Sequence, residues 1–170
     1  ADAETIAKNS GSKIISNYEI VSWYESKGIP GHPMNHGGKW EFDFGTVQYV
    51  WAVHSSVLPD GTYGGNPGGF VIQSEGKTFY YAGDTALSYD MKLIGESYKI
   101  DFAFLPIGSN FTMDYKDAIK AAKFVGTSEV IAMHFDTFPY IKINKDKVLR
   151  AAQEAGVSIK IPEIGESFSF

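Results

Sequence analysis

Residues 77–85 read Lys-Thr-Phe-Tyr-Tyr-Ala-Gly-Asp-Thr, and the chain changes rhythm on either side of them. Thr, Phe and Tyr favour a pleated strand over 77–82, and Gly83 ends it. Upstream, this strand pairs with 69–74 in a hairpin around Glu75-Gly76, and a second hairpin forms from 39–44 and 46–54 around Gly45. In 46–54, Val47, Tyr49, Trp51 and Val53 share one face, and Gln48, Val50, Ala52 and His54 the other. Downstream, strands alternate with helices. A helix over 87–95 precedes an apolar strand over 101–105. Asp114 caps a helix over 115–125, in which Ala118, Ala121, Ala122 and Val125 recur at helical spacing. A buried strand over 129–133 follows, then a helix over 145–155 capped by Asn144 and closed by Gly156, then strands over 157–161 and 167–170. The pattern is that of a single α/β domain over 1–170, with a hairpin half followed by a β/α half.

The opening residues are less regular. Residues 1–10 read as a helix already under way, with Asp2 or the residue before it as cap, Ile6 as apolar anchor and Gly11 as stop. A strand over 13–16 and a helix over 18–27 follow; in the helix Ile20, Val21 and Trp23 or Tyr24 face inward, and Gly28 and Pro30 stop it. Residues 28–38 are expected to be loop, as is the long stretch 55–68. A start at Ala1 inside a helix reads as a cut within an element.

At 170 residues, 44% hydrophobic and 15% aromatic, the composition is that of one globular domain able to bury a core. The net charge of −5 argues against a general nucleic-acid binder. There is no cysteine, so disulfides, thiolate nucleophiles and Cys-bound metals are excluded. The sequence shows no signal peptide and no apolar run able to span a bilayer, and the default expectation is a cytoplasmic protein.

Four histidines carry the candidate chemistry: His32, His36, His54 and His134. His54 and His134 stand at the C-terminal ends of expected strands, and Asp84 stands at a third such end. Strand ends combine rigid backbone with an open side. Taken singly, each has a plainer explanation, a surface histidine or a helix-capping aspartate. Taken together they form a His, Asp, His set suited to Zn²⁺, Mn²⁺ or Fe. His32 and His36 lie in the Gly/Pro loop and are read as exposed. Asn110 follows a strand and is either a turn former or a donor to substrate or a metal ligand. Tyr63, Gly64, Gly65 and Asn66 are expected at the cleft, with the glycines at positive φ. Thr85 and Thr137 are candidate donors behind the ligands, and Asp136 is solvated or orients a histidine.

Three of these segments carry a family likeness. Val53-His54-Ser55-Ser56, Tyr81-Ala82-Gly83-Asp84-Thr85 and Ala132-Met133-His134-Phe135 resemble, in order, the third, fourth and fifth metal motifs of the metallo-β-lactamase superfamily. MNHGGKWEFDFG (34–45), YGGNPGGFVI (63–72), FLPIGSNFTMD (104–114) and MHFDTFP (133–139) are similar to a bacterial and archaeal branch of metal-dependent hydrolases near the ascorbate-6-phosphate lactonases. The resemblance implies a four-layer αββα sandwich, here N-terminally incomplete. The H-x-H-x-D-H motif such proteins carry is not in this chain and is expected just upstream of residues 1–10.

By the same resemblance, His54 is a ligand of a first metal ion, Asp84 bridges two divalent ions, and His134 is a ligand of the second. The ions are expected to be Zn, with Mn or Fe as alternatives. A metal-bound hydroxide would then cleave an ester, lactone or phosphodiester bond in a small molecule, with Asp84, His134 and Asn110 as the catalytic set. With three of the seven expected ligands, the 170-residue stretch alone is expected to bind metal weakly and to be inactive. The missing segment, or a neighbouring copy, is expected to cover an open sheet edge. Two alternatives stay open: a nuclease or RNA-processing enzyme of the same fold, and a non-catalytic domain that keeps it. β-Lactam cleavage and a membrane partner have no support.

Overall fold

Two sheets of unequal size organise the chain. The computed structural model describes residues 2–167 and Ser169. The elements run α1 Ala3–Ser10, β1 Ile14–Asn17, α2 Tyr18–Glu25, β2 Gly31–Met34, β3 Lys39–Phe42, β4 Gly45–Trp51, β5 Gly68–Ser74, β6 Lys77–Tyr81, α3 Asp90–Ser97, β7 Phe102–Pro106, α4 Tyr115–Val125, β8 Glu129–Met133, α5 Lys145–Glu154 and β9 Ser158–Lys160. A single 3-10 turn, Pro139–Ile141, precedes α5. β3 to β9 form one sheet in chain order, while β1 and β2 form a separate parallel pair. β6 is the pivot: it runs antiparallel to β5, with Phe70 opposite Tyr81, and parallel to β7, with Phe79 opposite Phe102. Tight turns join β3 to β4 and β5 to β6, a long loop joins β4 to β5, and helices join the parallel strands, as crossover geometry requires.

Side-chain alternation assigns the two faces of the large sheet. Val71, Tyr80, Ala82, Ala103, Leu105, Val130 and Ile159 point to one face and pack with Met91 and Ile94 of α3, Ala118, Ala122 and Val125 of α4, and Val148 and Ala152 of α5. On the other face Val47 and Tyr49 meet Met34 of β2, with Ile15, Phe42, Phe70 and Ile72 around them. α2 lies on β1 and β2, burying Val21. The layers are therefore helices, large sheet, small sheet, helix. The small sheet covers only the hairpin half. Beyond it the same face carries a row of aromatic rings, with Phe79 stacked on Phe102 at 5.1 Å and Tyr81 against Phe104 at 5.7 Å.

Local chemistry accounts for the boundaries. Asp114 Oδ1 accepts from the Lys116 and Asp117 N–H groups, and Asn144 Oδ1 from Lys147 N–H, so α4 and α5 start where capping residues put them. α3 starts at Asp90, three residues later than expected, because Ser88 Oγ accepts from Asp90 N–H and closes a turn first. Residues 31–34 are a strand and not loop: Gly31 lets β2 lie against Val21, and Pro33 is tolerated in a two-stranded edge pair. In α1 the buried residue is Ala7, not Ile6, which is 61% exposed; Asp2 sits at the N-cap without a side-chain bond. The strand expected over 167–170 falls partly on Phe168 and Phe170, which lie outside the described residues.

Candidate metal centre

β4, β6, β7 and β8 all finish at the same end of the large sheet, and the segments leaving them build the site. Thr85 ties these segments together. It is fully buried; its Oγ1 accepts from Val53 N–H at 2.9 Å and donates to Ala86 O at 2.8 Å. Its carbonyl accepts from Met113 N–H at 3.0 Å, and Ala86 N–H donates to Val53 O at 3.1 Å. The residues next to Asp84 and His54 are thus clamped to each other and to the loop that follows β7.

Asp84 and His134 face each other across this end, with Asp84 Oδ2 at 3.7 Å from His134 Nε2. That is too long for a hydrogen bond. It is close to the spacing of two donors on one ion, roughly 3.4 Å for tetrahedral bonds of about 2.0–2.2 Å. The Asp84 side chain is 48% exposed and that of His134 24%. His134 has φ 55°, a left-handed backbone that costs a non-glycine residue roughly 1–2 kcal/mol. Its Nδ1 is buried without a hydrogen-bond partner. The backbone of His134 packs closely on Gly108, an approach any Cβ there would block. Burial, and after it the Asp84 carboxylate, push the Tyr81 phenol above its ordinary range.

His54 lines a cavity of about 380 Å³ together with Asp84, Ser55, Ser56, Tyr49 and Gly68. Its Nδ1 lies 2.9 Å from Ser55 O. A carbonyl only accepts, so Nδ1 carries the proton and Nε2 keeps the lone pair, the arrangement that orients metal-binding histidines. Among the described residues no three His, Cys, Asp or Glu side chains stand close enough to hold one ion. The structure therefore brings Asp84 and His134 together and sets His54 apart on the shared cavity. A larger hollow of about 490 Å³ between α5 and β9 has Glu129 as its only titratable residue and no histidine.

The other candidates divide. Asn110 is exposed with φ 59°, next to Ser109 at 63°, in the turn that Ser109 N–H closes onto Met113 O. The turn-forming role is the one with visible contacts. Asp136 shapes its own turn, its Oδ1 accepting from Ile143 N–H at 2.9 Å. His36 is half-buried, stacked on Tyr49 at 4.9 Å and bonded to Pro67 O; His32 packs on Trp40 and Phe42. Neither is the free surface histidine expected. Residues 55–68 hold a small hairpin, with Val57 bridged to Tyr63. Sequence reasoning missed Asn17, a buried side chain beneath this loop, and the wall residues Tyr49, Ser55 and Ser56. An N-cap asparagine before 18–27 was the available signal for Asn17.

A beta-lactamase superfamily domain model matches residues 2–135. A UPF0173 metal-dependent hydrolase of Flavobacterium johnsoniae is 57% identical over 166 residues, which make up 98% of this chain and 74% of that protein. The chain belongs to the UPF0173 metal-dependent hydrolases of the metallo-β-lactamase superfamily. The structure of Igni18, a metallo hydrolase from Ignicoccus hospitalis, superposes with a TM-score of 0.89 at 35% identity, covering all of this chain and 74% of that one. A metallo-β-lactamase fold protein of Bacillus subtilis superposes at 0.65 with 16% identity over 91% of this chain and 65% of that one, a likeness of fold. For a UPF0173 hydrolase, the Asp84–His134 pair at the clamped strand ends offers donors of the kind a divalent metal ion takes, with His54 standing apart on the cavity.

Proposed function

We propose that the UPF0173 fold here serves a hydrolase of small molecules that cleaves an ester, lactone or phosphodiester bond. The observation that carries the reading is the 3.7 Å approach of Asp84 Oδ2 to His134 Nε2, two donors without a bond between them at the open end of the sheet. Asp84, His134 and His54 would hold divalent metal, two Zn ions in the fullest form, with Mn or Fe as alternatives. Metal held there would lower the pKa of coordinated water toward neutrality and would polarise the scissile bond.

The chain's own residues do the rest. Ser55 O fixes the tautomer of His54, and Thr85 keeps the Asp84 and His54 segments in register. The walls formed by Tyr49, Ser55 and Ser56 shape the substrate space. Asn110, in the turn after β7, would contact substrate. The net charge of −5 and the absence of a basic cluster in the sequence weigh against nucleic acid as substrate. No helix among the described residues is long and apolar enough to cross a membrane; a cytoplasmic setting belongs to this proposal. Further polypeptide, from the same protein or a second copy, would pack on the aromatic row beyond the small sheet and pair with β1 or β2, each of which has one free edge among the described strands.

The test is turnover by the protein together with that further polypeptide, on a panel of esters, lactones and phosphodiesters with Zn²⁺, Mn²⁺ or Fe²⁺ added, repeated with chelator. Metal-dependent turnover of one of these classes, lost in chelator, is expected. Turnover unaffected by chelator, or salt-dependent cleavage of RNA alone, contradicts the reading.

A further inference from the structure

Asn17 is 4% exposed, one of three buried polar residues among those described. It ends β1 and caps α2, its Oδ1 accepting from Ile20 N–H at 2.9 Å. The cap alone does not call for asparagine, since Asp and Ser serve equally well. What they lack is the side-chain amide. Asn17 Nδ2 donates to Gly64 O at 2.8 Å and to Asn66 O at 3.2 Å, residues more than forty positions away in sequence. The other asparagine cap, Asn144, uses only its Oδ1 toward its helix.

The receiving turn is shaped for this contact. Gly64 and Gly65 are buried; Gly65 has φ 79°, and a Cβ on it would run into Asn17 Nδ2 and Glu19 Oε2. A Cβ on Gly64 would meet Ser56 Oγ. Tyr49 Oη adds a bond to Asn66 O at 3.1 Å from the strand below. The turn closes the hairpin loop that starts at Ser55, runs through the Val57–Tyr63 bridge and returns at Pro67 and Gly68. Both ends of that loop wall the cavity onto which His54 and Asp84 open.

We infer that Asn17 is a positioning residue: its amide pins the Gly64–Gly65–Asn66 turn and so fixes the substrate-side wall of the cavity. The inference rests on the hydrolase reading for the identity of that cavity, but the pin itself is independent of it. A carboxylate at position 17 keeps the helix cap and turns an oxygen toward two carbonyls, so it separates the two roles of the side chain.

The experiment is residue-resolved hydrogen exchange on the full chain carrying Asn17→Asp, with Asn144→Asp as control. The Leu58 and Gly61 amides, which close the loop on Thr62 O and Leu58 O, are expected to exchange at least about tenfold faster in Asn17→Asp, with Val21 in α2 unchanged. Asn144→Asp leaves the loop as it was. Asn17→Ser, which caps without an amide, gives the same result should the Asp variant fail to fold. On any substrate the parent chain turns over, KM rises about tenfold while kcat stays within about threefold. Loop amides that keep their rates, or rates that rise equally in α2 and the core, overturn the assignment. A loosened loop in a chain that hydrolyses nothing overturns the hydrolase reading and leaves the pin standing.

Discussion

The two ends of the large sheet are built on different terms. At the end where β5 turns into β6 and where β7, β8 and β9 begin, polar groups are paired. Asp101 Oδ2 accepts from Thr78 N–H at 2.7 Å, Asp101 N–H donates to Thr78 O, Thr127 Oγ1 donates to Asp101 O, and Glu129 N–H donates to Thr127 Oγ1. At the opposite end, Asp84 and His134 stand close without bonding, and His134 Nδ1 is one of two buried side-chain polar atoms without a partner among the described residues. Backbone strain divides the same way. Of the five non-glycine residues with positive φ among those described, Ser109, Asn110, His134 and Asp136 follow β7 and β8, and Glu75 alone sits in a hairpin turn at the other end. Unmet polar groups and strained backbone gather where a fold gives up stability for function.

The largest effect that tests this contrast comes from exchanging one carboxylate at each end. In the complete enzyme, Asp84→Ala is expected to lower turnover about 10³-fold, the equivalent of several kcal/mol of metal-assisted stabilisation, with a melting point within a few degrees of the parent. Asp101→Ala is expected to do the reverse: a stability loss of about 1–3 kcal/mol and unchanged turnover per folded molecule. Equal activity losses in both would erase the distinction between the ends. Turnover retained in Asp84→Ala with a lowered melting point would reduce Asp84 to a structural residue.

A second pair uses the buried threonines. Thr85→Val keeps the shape but leaves Val53 N–H without its acceptor, at a cost of about 1–3 kcal/mol, and should also lower activity because Val53 adjoins His54. Thr85→Ser restores both. Thr127→Val, which strands the Glu129 N–H at the far end, is expected to cost a similar amount and spare activity. Denaturant midpoints with turnover on the same samples decide the matter.

A smaller effect lies in alkaline pH. Burial pushes the Tyr49 phenol, bonded to Asn66 O beside the cavity, up to about 12 from 10.0. The folded chain then keeps a proton that the unfolded chain releases above pH 10. The stability this group contributes is complete below pH 10 and is lost as pH rises from 10 to 12. Tyr49→Phe should flatten that part of the stability profile, read by urea unfolding at stepped pH; an unchanged slope would contradict the burial argument.

The smallest effect is relief of strain. Ser109→Gly is expected to stabilise the fold by about 0.5–1 kcal/mol, because glycine adopts φ 63° without the Cβ clash. A loss of stability there would show that the turn draws on the serine side chain.

How much of this could be read from residues alone follows from which forces are local. α4 and β8 were placed to the residue because Asp114 caps its own helix and the apolar run 130–132 is short and bounded. The pivot at β6 was legible for the same reason, whereas the strand expected to run to His54 ends at Trp51. β2 was not, since Gly31 and Pro33 look like loop until Val21 and β1 are beside them. Ile6 looked like an anchor because apolar spacing does not say which side of a short helix meets the core. Asn17 was invisible as a brace because its partners lie 47 and 49 residues away.

Histidine ring resonances read directly whether His54, Asp84 and His134 hold metal as proposed. In a Zn²⁺ titration followed by NMR, the account predicts that the His54 and His134 rings shift together with one midpoint. His32, packed on Trp40 and Phe42, and His36, stacked on Tyr49 and bonded to Pro67 O, stay in place. Asp84→Ala should move that midpoint to higher metal concentration. Shifts confined to His32 or His36, or a His54 and His134 pair indifferent to metal, would contradict the account.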